Sequence, residues 1–302
     1  MARHLTALGA ITVAAALAVT GCGDESPEAA SPSASDPGKG PLYDTLPASV
    51  RKAGVIKVGS DMLYPPMEFI QNGRPTGADP DLAAVLGREL GVRFQFSNGT
   101  FDTLLANLRA KHYDIAMSAL NDTEERQKGL DPSTGEKIGE DIDFVDYFTS
   151  GSSIMVKKGN PENIESLADL CGKRTAVQSG STTYDLLQAQ KCDEPIDIEA
   201  YDTHQEAQAR LKSGGAVADV ADFPVTSYAV QTSGGGEDFE IVGDQIDPGP
   251  YGIAVLASNT ELRDAIRGAL NAAIRDGSYG KVLSKWNVSK GAVTNATINS
   301  GT

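Results

Sequence analysis

The sequence predicts an α/β fold with mostly parallel sheets. Three observations carry that expectation. From Leu46 onward, short β-branched runs alternate with amphipathic stretches of helical spacing. Small polar loops stand where strands hand over to helices. The length, 302 residues, suits about two domains.

Taken in order, 47–53 reads as a short helix and 55–59 as a strand. A turn-rich stretch, 61–69, leads to a hairpin at Gln71-Asn72-Gly73. Asp79-Pro80-Asp81 opens a helix, with Asp79 as cap, Pro80 at the first position and an apolar stripe of Leu82, Val85, Leu86 and Leu90. Gly91 ends it. A strand at 92–96 precedes a helix at 101–111 with Leu104, Leu105 and Leu108 inward. The strand 115–117 then runs through a polar loop, 118–122, into a helix whose first turn holds Thr123, Glu124, Glu125 and Arg126. The Thr123 hydroxyl caps that turn and the acids suit its dipole. Arg126 does not suit it. Beside free N–H groups, its two-pronged donor geometry fits a carboxylate; the plainer alternative is a surface pair with Asp122 or Glu125.

A second unit begins near Ser152, with strands at 154–156, 174–177, 196–199 and 217–220 alternating with helices at 164–170, 184–190 and 204–212. Residues 178–183 form a polar loop at a helix start, and Ala221-Asp222-Phe223-Pro224 opens another helix with Asp222 as cap. A strand at 239–242 leads through the connector 247–250 to a strand at 251–256. The helix 261–275, with Leu262, Ile266, Leu270 and Ile274 inward, and the helix 278–286 complete the pattern. Ligands collect at strand C-terminal ends in such sheets, which singles out loops 118–122, 179–183 and 221–222.

The net charge of −15 argues against nucleic acid and against docking on anionic lipid. At the N-terminus, Arg3 and His4 precede an apolar run, 5–19, too short to span a bilayer but of signal-peptide length. Leu17-Ala18-Val19-Thr20-Gly21-Cys22 resembles a bacterial lipoprotein cleavage box. That resemblance implies a signal peptide over 1–21 and palmitate-type acylation at Cys22 as a membrane anchor. Residues 23–41, rich in Gly, Ser, Pro and acids, are expected to be disordered within a tether spanning 22–45. Cys171 and Cys192 are then left in an oxidising setting, where a disulfide is the default. With three His in the chain and no ligand spacing, no metal or other cofactor is expected.

With those loops in view, the chain resembles family 3 of the extracellular solute-binding proteins, the polar-amino-acid receptors of ATP-binding-cassette importers. The marks run from about Leu46 to Val288: Val58-Gly59-Ser60-Asp61, Tyr64-Pro65-Pro66-Met67-Glu68-Phe69, Gly77-Ala78-Asp79-Pro80-Asp81-Leu82, Tyr113-Asp114-Ile115 with Thr123-Glu124-Glu125-Arg126, Phe144-Val145-Asp146-Tyr147-Phe148, and Pro250-Tyr251-Gly252-Ile253-Ala254. The resemblance implies a two-lobed, type II periplasmic-binding-protein-like fold. Lobe 1 would span 46–149 and 251–288, lobe 2 154–242, with hinge segments at 150–153 and 243–250 and a tail at 289–302. It implies no catalysis but capture of an amino acid by lobe closure, delivery to permease subunits, and a monomer lipid-anchored at the outer face of the cell membrane.

The implied site is specific. Arg126 clamps the α-carboxylate with the N–H groups of Asn121 and Thr182; Asp222, Ser118 and the Ala119 carbonyl take the α-ammonium. Tyr64 and Phe101 wall the side chain, Gln178 faces it, and Met67 and Phe69 support the core. Asp61 stands where acidic-amino-acid receptors of the family place a cation, so it disfavours Glu and Asp ligands and suits arginine, lysine, ornithine or glutamine. Two departures stand out: Asn121 replaces a hydroxyl and Asp122 an apolar residue. The insertion 131–141 is expected as a surface loop. The rivals are an exported cyclohexadienyl-dehydratase-like enzyme with Asp61 or Asp222 as acid or base, and a ligand-sensing lipoprotein acting in trans.

Overall fold

The computed structural model describes Gly38 and residues 40–302. The expected signal peptide 1–21, Cys22 and most of the tether lie outside the described residues. The strands in chain order are β1 Val55–Ser60, β2 Leu63–Tyr64, β3 Glu68–Gln71, β4 Arg74–Thr76, β5 Arg93–Asn98 and β6 Ile115–Ala116. They continue as β7 Ile142–Lys157, β8 Arg174–Gln178, β9 Asp197–Tyr201, β10 Ala218–Asp222, β11 Phe239–Leu256 and β12 Ala292–Ile298. Among the described residues, one sheet runs β5-β1-β6-β11-β7-β10-β8-β9 with β12 on β7, and β2-β3-β4 make a small second sheet.

The two long strands explain the shape. β11 pairs antiparallel with β7 from Phe239↔Lys157 to Leu256↔Ile142. Their one end meets β6, which joins the parallel pairs β6-β1-β5. The other end of β7 meets β10, which joins β10-β8-β9, again parallel. Two lobes result, parallel at their flanks and sharing one antiparallel ribbon. The stretches 150–153 and 243–250 lie inside this ribbon, so the backbone ladder crosses between lobes rather than breaking there. Register shifts fall between Val242, Ile246 and Gly249, and Asp247 has φ +47°. Bulges bend a strand and tolerate proline, which accommodates Pro248 and Pro250.

The core follows the sequence stripes. Helix Ala78–Leu90 buries Leu82, Val85, Leu86 and Leu90 against helix Thr260–Asp276, which contributes Leu262, Ile266 and Leu270. Each such side chain contributes about 1.5–3 kcal/mol on leaving water. Lobe 2 has its own core, with Ile154, Val177, Leu187 and Val220.

Four expectations need correcting. Helix Ala78–Leu90 starts two residues earlier than expected, with Gly77 as its cap position. Asp79 therefore does not cap it but lies buried inside. The end of the tether is not free: the Gly38 N–H donates to Gly91 O at 3.0 Å and the Leu42 N–H to Glu89 O at 2.9 Å. Leu42 and Tyr43 pack on the core, so apolar contact overrides the polar composition before them. Residues 292–298 are a strand on β7, not a loose tail. Within 164–170, only Leu167–Leu170 is helical, as a short 3-10 turn closed by a Ser166/Asp169 capping box.

Cys171 and Cys192 are bonded, with Cα atoms 5.6 Å apart, across 21 residues of lobe 2. A loop of that size gives about 3 kcal/mol in the chain-entropy treatment. Replacing both with Ser should lower the urea midpoint of lobe 2 by a corresponding amount; an unchanged midpoint would show the bridge adds nothing to stability.

Candidate ligand-binding cleft

Four parallel strands release their loops into one cleft between the lobes. β1 ends at Ser60 and delivers Asp61; β6 delivers Ser118 and Ala119; β8 ends at Gln178; β10 ends at Asp222. Ala119 sits at φ +46°, a conformation that costs an L-residue about 1–2 kcal/mol, with its N–H donating to Asp79 Oδ2 at 3.2 Å.

Arg126 is held by local geometry. Thr123 caps helix Glu124–Lys128, accepting the Arg126 N–H at 3.3 Å. The guanidinium donates Nη1 to Asn121 O at 2.9 Å and Nη2 to Gly180 O at 3.1 Å, and lies 5.7 Å from the Phe101 ring centre. It hydrogen-bonds carbonyls rather than Asp122 or Glu125. Neutral carbonyls satisfy N–H groups without cancelling charge, so the arrangement keeps a cation ready for an anion.

Opposite it stand two carboxylates. Asp222 is 7% exposed and does not cap its helix; it accepts the Tyr64 hydroxyl at 2.9 Å instead. Asp61 is 2% exposed and accepts Gln178 Nε2 at 2.6 Å. Thr182 Oγ1 donates to Asn121 Oδ1 at 3.0 Å. The Tyr64–Asp222, Asp61–Gln178, Asn121–Thr182 and Arg126–Gly180 bonds all join lobe to lobe, so the lobes meet directly. Burial, first among the causes, raises both Asp61 and Asp222 to about 6, against the lowering effects of Gln178 on Asp61 and of Tyr64 on Asp222.

The structure brings Asp61, Tyr64, Phe101, Ala119, Asn121, Arg126, Gln178, Thr182 and Asp222 around one cleft. Ser118 lies beneath it: its hydroxyl accepts the Asp61 N–H at 2.9 Å and donates to Glu68 Oε1 at 2.7 Å, committed inward rather than towards a ligand. Tyr64 is less a flat wall than a hydroxyl donor, edge-on to His204 at 5.4 Å. Met67 is fully buried and Phe69 packs edge-on to Trp286.

Sequence reasoning missed the support beneath. Glu68 and Asp79 are fully buried neighbours; burial raises both, Asp79 to about 6 and Glu68 well above the carboxylate range with Asp79 adding to the rise. Tyr147 donates to Asp79 at 2.8 Å. His204 forms an ion pair with Asp219 at 2.9 Å. Burial opposes its charge, but Asp219, Asp222 and Asp61 together raise its pKa. The acid inside Pro65-Pro66-Met67-Glu68-Phe69 was the available signal for Glu68; nothing local marked His204.

A separate cavity of about 870 Å³ is lined by Pro66, Phe148, Phe223, Tyr228 and Trp286. It contains none of Asp61, Arg126, Gln178 or Asp222, and the convergence of charge favours the cleft as the functional site. Among the described residues, no acid, His or Cys cluster is placed to hold a metal ion, and no helix is long and apolar enough to cross a membrane.

The model of the bacterial extracellular solute-binding proteins, family 3, matches residues 56–289. An arginine-binding protein of Corynebacterium glutamicum is 28% identical, over 84% of this chain and 81% of its own. An L-cystine-binding protein of Escherichia coli is 27% identical, over 78% and 84%. Among solved structures, an ancestral arginine-binding protein bound to arginine is 35% identical with a TM-score of 0.69, covering 77% of this chain and 98% of its own. An ancestral amino acid-binding protein, a precursor of cyclohexadienyl dehydratase, is 31% identical with a TM-score of 0.67, over 79% and 97%.

Raised carboxylate pKa values favour the protonated form in the joined lobes. That stabilisation is full below about 4, the ordinary value, and is lost as pH rises through about 6. The ligand-free lobes should therefore separate between pH 4 and 7, seen as a rising radius of gyration in small-angle scattering. Asp61→Asn with Asp222→Asn should flatten the curve, and a pH-independent radius in the native chain would contradict it.

Proposed function

Because the chain belongs to the bacterial extracellular solute-binding proteins of family 3, we propose that its cleft captures a polar L-amino acid, with arginine foremost, by closure of the two lobes. The observation that carries this reading is charge placement: the Arg126 guanidinium, hydrogen-bonded by carbonyls, shares the cleft with two buried carboxylates, Asp222 and Asp61. A zwitterion with a cationic side chain supplies the complement. Its carboxylate replaces carbonyls as the partner of Arg126, its ammonium meets Asp222, and its guanidinium meets Asp61. Gln178 and Tyr64, which bridge the lobes, then line the ligand, with Phe101 stacked behind Arg126. Lysine, ornithine and glutamine remain within this chemistry. Glutamate and the second carboxylate of cystine are disfavoured, since like charge at Asp61 costs kcal/mol in a desolvated site.

The ligand is then passed to permease subunits of an importer by a monomer anchored through lipid on Cys22, at the outer face of the membrane. The lipoprotein box and the family's extracellular character support this placement. Lobes bounded at 46–149 with 251–288, and at 154–242, would turn about the bulged ribbon at 150–153 and 243–250.

A second reading has one observation behind it. The similar structure that precedes a dehydratase, together with two cleft acids raised to about 6, suits general acid–base work by Asp61 or Asp222. Turnover of prephenate or arogenate would favour it; binding without consumption favours transport.

Calorimetry with ornithine and the twenty amino acids tests the assignment. Arg126→Ala should weaken binding by more than about 100-fold, as loss of a buried charge partner does. Asp61→Asn should cost arginine about 10- to 100-fold and glutamine little. Failure of every amino acid to bind the native chain would sink the reading.

A further inference from the structure

The segment after β12 reaches back to the loop that presents Arg126. β12 lies on β7, with Thr297 opposite Asp146 and Ile298 opposite Val145. The chain is then fastened at successive residues. Asn299 N–H donates to Phe144 O at 3.1 Å, its Oδ1 accepts the Phe144 N–H at 2.8 Å, and its Nδ2 donates to Asp143 Oδ1 at 2.9 Å. Ser300 donates both its N–H and its hydroxyl to Asp146 Oδ2, at 3.1 and 2.7 Å, and Thr297 Oγ1 donates to the same oxygen at 2.9 Å.

Gly301 makes the decisive contact. Its N–H donates to Asp122 Oδ2 at 2.8 Å, and its carbonyl accepts Gln127 Nε2 at 3.1 Å. Gln127 Nε2 also donates to Asp122 Oδ1 at 2.7 Å, closing a ring of three residues. Asp122 follows Asn121, whose carbonyl holds Arg126; Gln127 follows Arg126 itself. The ring thus grips the 122–127 turn at both ends. The fit is close: a β-carbon on Gly301 would overlap the carbonyl oxygen of Asp122, so only glycine fits there. Asp122, a charged residue where the family pattern is apolar, gains its reason from this contact.

We propose that residues 299–301 are a positioning strap for the carboxylate clamp, fixing the 120–127 loop so that Arg126 meets the ligand pre-aimed. The proposal rests on the amino-acid-binding reading and adds a distal determinant of affinity to it. Arg126 has a rotamer-rich side chain on a five-residue helix, and such a short helix has little rigidity of its own. Pre-organisation of that turn converts directly into affinity, because less ordering remains to be done on binding.

Two variants of the full chain test this: Gly301→Ala, and a chain ending at Ser300. The second keeps the β12 ladder and removes Gly301 with Thr302, should the first fail to fold; amidating its new terminus separates loss of the bridge from the added charge. Hydrogen exchange of the ligand-free protein is read over 120–127 and over 178–183, alongside the L-arginine Kd. Positioning predicts faster exchange confined to 120–127 and a Kd weakened by about tenfold, the worth of one or two charge-assisted hydrogen bonds. Unchanged Kd in variants of a chain that natively binds L-arginine overturns the proposal, as does faster exchange spread evenly over both lobes. If the native chain binds no amino acid, the functional reading fails instead, and the exchange data alone decide whether the strap fixes the loop.

Discussion

Everything in the cleft depends on how buried charge is paired. Arg126, Asp61 and Asp222 are held by neutral partners: carbonyls, an amide and a phenol. Such partners satisfy hydrogen-bonding capacity without neutralising charge, so the site remains polarised and costly to desolvate. The carboxylates answer by holding protons more tightly. A zwitterionic ligand relieves that cost, and this relief is the free-energy difference by which binding can favour joined lobes over separated ones.

The scaffold beneath matches this demand with rigidity in one place and compliance in another. Glu68, Ser118, Asp79, Ala119 and Tyr147 form a connected buried network under lobe 1's side of the cleft. It keeps the left-handed Ala119 turn in place. The two long strands supply compliance, because their irregular register at 242–249 lets a continuous ladder bend. The charged loops are thus fixed to their own lobes, and the irregular part of the ladder lies between them.

The local part of this was legible in the sequence. The stripe Leu82, Val85, Leu86 and Leu90, the Thr123 cap and the polar loops at strand ends each depend on residues within a few positions of one another. What escaped were pairings between distant segments. The family resemblance implies a hinge segment at 150–153, yet β7 runs through it paired, with shifts of register, to β11. His204 looked like one face of a helix start, and only Asp219 explains its burial. Gly301 contacts Asp122 across 179 positions, a distance no spacing argument spans. Ser118, expected at the ligand ammonium, has its hydroxyl bonded to Glu68 and the Asp61 N–H, since loop position and side-chain direction are separate questions.

The ribbon has one more consequence. Phe239 pairs with Lys157, and the Lys158 N–H donates to Asp238 O at 3.0 Å, so the excursion 158–238 leaves and returns at adjacent, hydrogen-bonded points. Most of lobe 2 is therefore one continuous insertion in the sequence of lobe 1, with both of its ends at a single place in the ribbon. Its ends are already together, so closing this excursion is secured by hydrogen bonds at its neck. The segment thus carries Gln178, Thr182, His204 and Asp222 as one half of the cleft, while the surrounding lobe carries Arg126.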